Sequence, residues 1–338
     1  MVALAWAAGL CLAPRMRHRG LRNNIEAWLY LAPALVVLFW FWILPVLASV
    51  LVSFTDWTGA ATWEDVQWLG LENYQRAFAD PAFHQVLFNT INYVIYSVPL
   101  TLGASLAIAV LLHRQSRARG VLRTLYFLPY VTTWVAISIV FKYIFNEQFG
   151  LLNYILESVG LPAPGWLNEP RGVVELLLAG IGVPVKDPLH PLLGGPSLAM
   201  FSVILTSVWR DMGYFMVIFL AGLQNIDPTY YEAASLDGAG RWQRFRHITL
   251  PLLSPVTFFV LVISTIAAFK VFVPVFIMTP NGTPGGTTET LVSYLYKTGF
   301  AGYRELGYAS AIAYVLFVII LVLTVFQHRV FGRKVQYG

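Results

Sequence analysis

Six stretches of this chain stay apolar for twenty residues or more, and no other feature narrows its folding options so far. They run from about Trp28 to Phe54, Leu87 to Leu112, Thr124 to Phe145, Ser197 to Leu223, Val256 to Met278 and Gly307 to Phe326. Each is long enough to cross a hydrocarbon layer of about 30 Å as a helix. In lipid the backbone N–H and C=O groups must be satisfied within the segment, so runs of this length become helices. Pro33 and Pro45 in the first run kink such a helix without forbidding it. With 57% hydrophobic and 12% charged residues and a mean hydropathy of +0.65, the 338-residue chain has too much apolar surface for a soluble globule. The expected fold class is an all-α polytopic membrane protein with six transmembrane helices.

Charge placement orients the spans. If the N-terminus lies in the cytoplasm, the inner segments carry 14 Lys and Arg residues and the outer ones 5, with Lys142, Arg210 and Lys270 inside spans, out of 22. That asymmetry predicts both termini inside. The expected layout is a cytoplasmic tail over residues 1–27, a membrane domain over 28–330 and a second cytoplasmic tail over 331–338. Residues 1–13 are apolar but too short to span. Arg15, Arg17, Arg19 and Arg22 follow them, whereas a secretory signal puts its charges first. A misassigned start and an interfacial segment are the two readings. The long outer segment 146–196 holds one apolar stretch, residues 173–185, that is too short to cross comfortably.

Several function classes drop out. A single cysteine, Cys11, cannot form an intrachain disulfide or a cysteine metal cluster. The six histidines fall in loops or at span ends, and HExxH, GxSxG and GxxxxGK[ST] are all absent. Without the last of these the chain cannot cradle ATP phosphates by that route, so no catalytic site and no bound cofactor or metal is expected. The net charge of +5 follows topology and gives no reason to expect nucleic-acid binding.

Between the fourth and fifth spans, residues 223–254 are amphipathic and basic with a tight turn at the centre. Asp227 before Pro228 is a helix start. Asp237-Gly238-Ala239-Gly240 breaks that helix, and Trp242, Phe245 and Ile248 are spaced to share one face of a second. Glu232-Ala233-Ala234, Gly238 and Ile248-Thr249-Leu250-Pro251 meet every position of EAA-x3-G-x9-I-x-LP. The chain thus resembles the permease subunits of binding-protein-dependent ABC importers, which carry this signature. Further stretches resemble carbohydrate-uptake members, the larger maltose-type permease among them. They are Gly70–Tyr74, Asp80–Phe83, Asn89-Thr90, Arg123–Pro129, Gly150–Asn153, Trp166-Leu167, Leu220–Gln224 and Gly307–Ala311. Two features depart from the pattern: residues 171–196 are longer than usual, and Val273 stands where many relatives have an acidic residue.

The resemblance implies the type I importer permease (MetI-like) fold and half of a sugar-conducting pore in the cell membrane. It also implies a second permease subunit as heterodimer partner, two ATP-binding subunits that use ATP and Mg, and an extracytoplasmic sugar-binding protein. Glu232, Ala233, Ala234, Asp237, Gly238, Ile248, Leu250 and Pro251 would couple to the ATPase. For the translocation path the candidates are Arg210, Asp211, Tyr214, Phe269 and Lys270, with Phe215, Phe272, Ser207, Ser264 and Thr265 beside them. Charged groups at that depth cost about 2.5–3.5 kcal/mol each, so they should face a partner or a hydrated route. As neighbours on a helix, Arg210 and Asp211 are expected to point about 100° apart and not to neutralise each other. The alternatives are a permease for glycerol phosphate or a polyamine, and a self-contained secondary transporter.

Overall fold

Why each apolar run is helical was settled by lipid; where each run bends is settled by individual residues. The structure, a computed structural model, describes residues 19–60, 62, 64–114, 119–182, 194–301 and 304–332. The expectations for residues 1–13, most of the C-terminal tail and the middle of the 171–196 extension lie outside the described residues. The elements in chain order are α1 (Ala27–Val52), α2 (Glu72–Ala79), α3 (Pro81–Arg114), α4 (Arg119–Val131), α5 (Trp134–Ile144), α6 (Leu151–Ser158) and α7 (Val173–Gly180). They continue with α8 (Leu198–Gln224), α9 (Pro228–Leu236), α10 (Arg241–Arg244), α11 (Ser254–Phe269), α12 (Val273–Met278), α13 (Leu291–Tyr296) and α14 (Leu306–Val330). Among the described residues two isolated antiparallel bridges, Thr55–Trp68 and Gly172–Ser197, are the only extended pairings.

Five segments are long and apolar enough to cross: α1, α3, α8, α11 with α12, and α14. The third expected span is not one helix. α4 and α5 form it together, bent by 97°. The break falls at Thr132-Thr133. Thr133 is extended and caps α5, its Oγ1 accepting from Ala136 N–H at 3.4 Å. Span five also breaks, at Lys270–Phe272, because Pro274 has no N–H to continue the ladder and Phe272 leaves helical geometry (φ −140°, ψ −63°). In α1 the turn before Pro45 widens to a π turn, Phe39–Ile43, in which Leu44 N–H reaches Phe39 O.

α8 is the central helix, buried at both ends, and it joins two separate cores. One core packs Phe83, Val86, Met200, Ile204, Phe269 and Ile312 among others. The second, nearer the α9–α10 loop, packs Leu112, Phe215, Met216, Phe219, Leu220 and Leu253. α1 stands outside this bundle, with Trp28, Tyr30, Trp40, Phe41 and Trp42 between 62% and 71% exposed. Ser49 and Val46 tie it to Tyr314 of α14.

The long segment 146–196 holds α6 and α7, and α7 is eight residues, too short to cross. Its far end is clipped shut: Val173 N–H donates to Pro196 O and Leu198 N–H to Arg171 O, each at 3.0 Å. The extension therefore leaves and rejoins the fold at one point.

Candidate functional site

Between the two cores lies a cleft of about 410 Å³. α8 lines it with Ser207, Arg210, Asp211, Tyr214 and Phe215, positions at i, i+3, i+4, i+7 and i+8 that share one helix face. Tyr93, Ser97 and Thr101 of α3 face them at a spacing of four, and the broken spans contribute Tyr130, Trp134, Lys270 and Phe272. Arg210 and Asp211 do pair, contrary to expectation: Nη1 donates to Oδ1 at 2.7 Å. An arginine stem is long enough to curl back across the 100° offset, and partial burial leaves both groups little water as an alternative partner. The guanidinium is also held by the Tyr130 carbonyl at 3.2 Å. It lies 4.8 Å from the Tyr130 ring centroid and 4.1 Å from that of Trp134. Tyr130 in turn stacks on Tyr214 at 4.4 Å.

Two path candidates are not in this wall. Phe269 is 3% exposed and packs into the first core, while Ser264, Ala267 and Ala268 of the same helix line the wall. Thr265 is also turned inward: it donates to Leu261 O at 2.7 Å and accepts from Gln327 Nε2 at 3.1 Å. Lys270 is exposed at the break, and its ammonium has no partner among the described residues. The Ser97 hydroxyl, buried in the wall, likewise has no hydrogen-bond partner among the described residues.

The second site is the loop after α8. Asp227 caps α9, accepting from Thr229 N–H at 2.9 Å, and this bond holds its carboxyl below the usual range. Gly238 turns the chain at φ +77°, a conformation that costs residues with a Cβ. The returning segment is helical from Arg241 but contains a π turn, Phe245–Thr249, in which Leu250 N–H bonds Phe245 O. Pro251 lacks the N–H for a regular α turn, which accounts for the widening. Its effect is to separate Ile248 from Trp242 and Phe245, which were expected on one face with it. Ile248 instead joins Ala234, Asp237 and Gly238 around a shallow concavity of about 400 Å³. Arg244 Nη1 donates to Ser235 Oγ at 2.7 Å and Tyr231 OH meets Thr249 Oγ1 at 3.0 Å, so the two arms form one unit. Glu232 and Ala233 are exposed on α9, while Leu250 and Pro251 lie outside the concavity.

The sequence matches the family described as "Binding-protein-dependent transport system inner membrane component" over residues 82–337. The chain belongs to this family. Among relatives of this permease, the probable ABC transporter permease YurN of Bacillus subtilis is 34% identical, covering 92% of this chain and 97% of its own. The arabinooligosaccharides transport permease AraP of the same organism is 32% identical, covering 90% and 88%. The sn-glycerol-3-phosphate transport permease UgpA of Agrobacterium fabrum is 31% identical, covering 94% and 98%. In fold the permease is similar to a chain of a bacterial alginate ABC transporter crystallised with an alginate pentasaccharide-bound periplasmic protein. That match has a TM-score of 0.75 at 20% identity and covers 95% of this chain and 98% of that one. The permease is therefore a multi-pass transport subunit, and its family implies ATPase and substrate-binding partners.

Several family-like residues outside these two sites act as clamps in the permease. Asn73 Nδ2 donates to Ser53 O and Thr55 O, at 3.0 and 2.8 Å. Asn89 Nδ2 donates to Gly286 O and Glu289 O, at 2.8 and 2.9 Å, and Thr90 Oγ1 accepts from Leu291 N–H at 2.9 Å. Asn153 bonds Glu147 O and Pro164 O and accepts from Trp166 Nε1 at 2.7 Å. Gly307 is where α14 meets the Thr55 carbonyl, which a Cβ would overlap. Sequence reading missed Tyr93, Ser97, Thr101, Tyr130 and Trp134. The first three carry a usable signal, a polar stripe of period four along the span.

Proposed function

We propose that this permease forms one half of the pore of a carbohydrate importer. It pairs with a second permease as a heterodimer and works with two ATP-binding subunits and an extracytoplasmic sugar-binding protein. The chain is not itself an enzyme and binds no cofactor; ATP and Mg act on the partner ATPase. The partition of 14 basic residues against 5 supports a plasma- or inner-membrane topology with both termini and the α9–α10 loop in the cytoplasm. Motion of the ATPase dimer enters through the loop concavity of Ala234, Asp237, Gly238 and Ile248.

The observation that carries the sugar reading is the composition of the cleft. Its strongest cation, Arg210, is already neutralised by Asp211 and covered by two rings. What remains for a solute is aromatic surface from Tyr214 and Phe272, together with a Ser97 hydroxyl that has no partner among the described residues. Those groups suit C–H faces and hydroxyls. The relative named for arabino-oligosaccharides supports the same class. One observation favours an anionic solute such as glycerol phosphate or an acidic sugar: the free ammonium of Lys270. A polyamine would meet that charge unfavourably.

The assembled transporter in vesicles, supplied with its binding protein, tests this. Uptake of a neutral oligosaccharide that weakens strongly in Tyr214→Ala and little in Lys270→Gln is the expected result. Uptake of anions alone, abolished by Lys270→Gln, would select the second reading. Transport by the permease without its ATPase would overturn both and indicate a secondary carrier.

A further inference from the structure

The helix that returns from the loop divides its side chains. Gln243 and His247, four apart, face the concavity of Ala234 and Gly238, whereas Arg241, Trp242 and Phe245 face α3. Between that side and α3 runs an open groove of about 560 Å³, walled by Leu106, Ala107, Leu111 and Trp242, whose residue is 67% exposed. Arg241, Val110 and Phe245 also line an adjoining hollow of about 360 Å³, so the two form one recess with Arg241 at the joint. The inner part adds Arg244, His113, Tyr231 and Thr249 to apolar walls from Val110, Leu223 and Phe245. No carboxylate lines either part among the described residues, and the Arg241 guanidinium has no partner there.

We propose that this recess binds one anionic phospholipid, with acyl chain along Leu106 and Trp242 and phosphate at Arg241 and Arg244. The apolar groove follows the last turns of a membrane span, and the cationic hollow begins where that span ends, which is the order of groups along a lipid molecule. A tryptophan at the junction suits the interface. A zwitterionic lipid would fill the groove but bring no net charge to two guanidiniums. Free phosphate would find the cations but leave the groove empty. The site does not depend on the solute or on coupling to the ATPase, and it is tested without either.

The purified full chain, in detergent, is mixed with equal amounts of phosphatidylglycerol and phosphatidylcholine of identical acyl chains, and retained lipid is read by native mass spectrometry. The expected result is one retained phosphatidylglycerol, strongly preferred. Arg241→Gln and Arg244→Gln should each lower the preference about fivefold, and both together about 25-fold. Leu106→Trp, which fills the groove, should reduce retention of both lipids while the chain's thermal unfolding stays cooperative. Equal retention of the two lipids by the parent would overturn the proposal, as would an undiminished preference in the double variant. Displacement of the lipid by millimolar inorganic phosphate, or cross-linking of a Trp242→Cys variant to the second permease with no lipid retained, would do the same.

Discussion

Arg210→Met should destabilise the permease by far more than its two lost hydrogen bonds suggest. The pair it belongs to is 13% and 23% exposed, too little for water to replace the missing partner. Removing one member of a buried pair costs about 3–5 kcal/mol, because the other charge stays behind unpaired. Two ring contacts are lost as well, at about 0.5–2 kcal/mol each. The sum is about 4–9 kcal/mol. Asp211→Leu leaves the guanidinium on the Tyr130 carbonyl and between two rings, and should cost only about 2–3 kcal/mol. Arg210→Met with Asp211→Leu strands no charge, so the double variant should sit about 1–3 kcal/mol below the parent, above Arg210→Met alone. The assay is reversible unfolding of the four proteins in mixed micelles as a double-mutant cycle. If the two single costs simply add in the double variant, or if Arg210→Met stays within about 0.5 kcal/mol of the parent, the pair is not the coupled buried unit described above. Transport by the stable double variant then separates two roles: parental rates mean packing, and loss means the pair belongs to the solute route.

Gly238→Pro should abolish stimulation of the partner ATPase while the chain still inserts, since proline cannot adopt φ +77°; normal stimulation would refute the coupling role. Gly307→Ala should lower stability by about 1–3 kcal/mol, as its methyl overlaps the Thr55 carbonyl, and thermal unfolding in micelles reads this directly. Single cysteines, with Cys11 replaced, should react with an impermeant thiol reagent at Ser207, Arg210 and Tyr214 but not at Thr206 or Met212, with solute slowing the reaction. Acid should weaken the outer end of the bundle through Asp80. Burial alone would raise its carboxyl, but bonds from Tyr294, Ala82 and Tyr308 hold it below the usual carboxylate range. A depressed carboxyl stabilises the fold above its unfolded value of about 3.9 and loses that contribution as pH falls through the folded value. The parent's melting temperature should therefore drop more steeply below about pH 4 than that of Asp80→Asn, and parallel curves would contradict the reasoning.

The spans were legible because apolar length is a direct physical requirement of lipid, and α8 and α14 fall within a few residues of where the sequence puts them. Their breaks were less so. Thr133 carried a readable cap signal, but the same residue type sits harmlessly inside membrane helices when its hydroxyl bonds the preceding turn, as Thr90 does in unbroken α3 by donating to Val86 O. The EAA loop was readable in its first arm and turn. Its second arm was not, since a π turn changes which side chains share a face without changing their spacing. At the cleft, period alone put Arg210 and Asp211 on diverging directions, and only side-chain reach brings them together. Asn73, Asn89 and Asn153 show the opposite limit: a family-like residue looks the same in sequence whether it meets a solute or ties down a carbonyl.

The peripheral position of α1 has a consequence for biosynthesis. Its bonds to Tyr314 from Ser49 and Val46 span 265 and 268 residues of chain. At translation rates of about 5–20 residues per second, the first helix to enter the membrane waits about 13–53 s for its partner to be made. Through that interval only its C-terminal end is tied, at Ser53 to Asn73 and Tyr74, and the rest faces lipid, which its run of exposed Trp, Phe and Leu side chains equips it to do. The family match begins at residue 82, after this helix and the segment that follows it. The tie at Ser49 and Val46 thus waits for α14, and a ribosome that stops short of Tyr314 leaves it unmade.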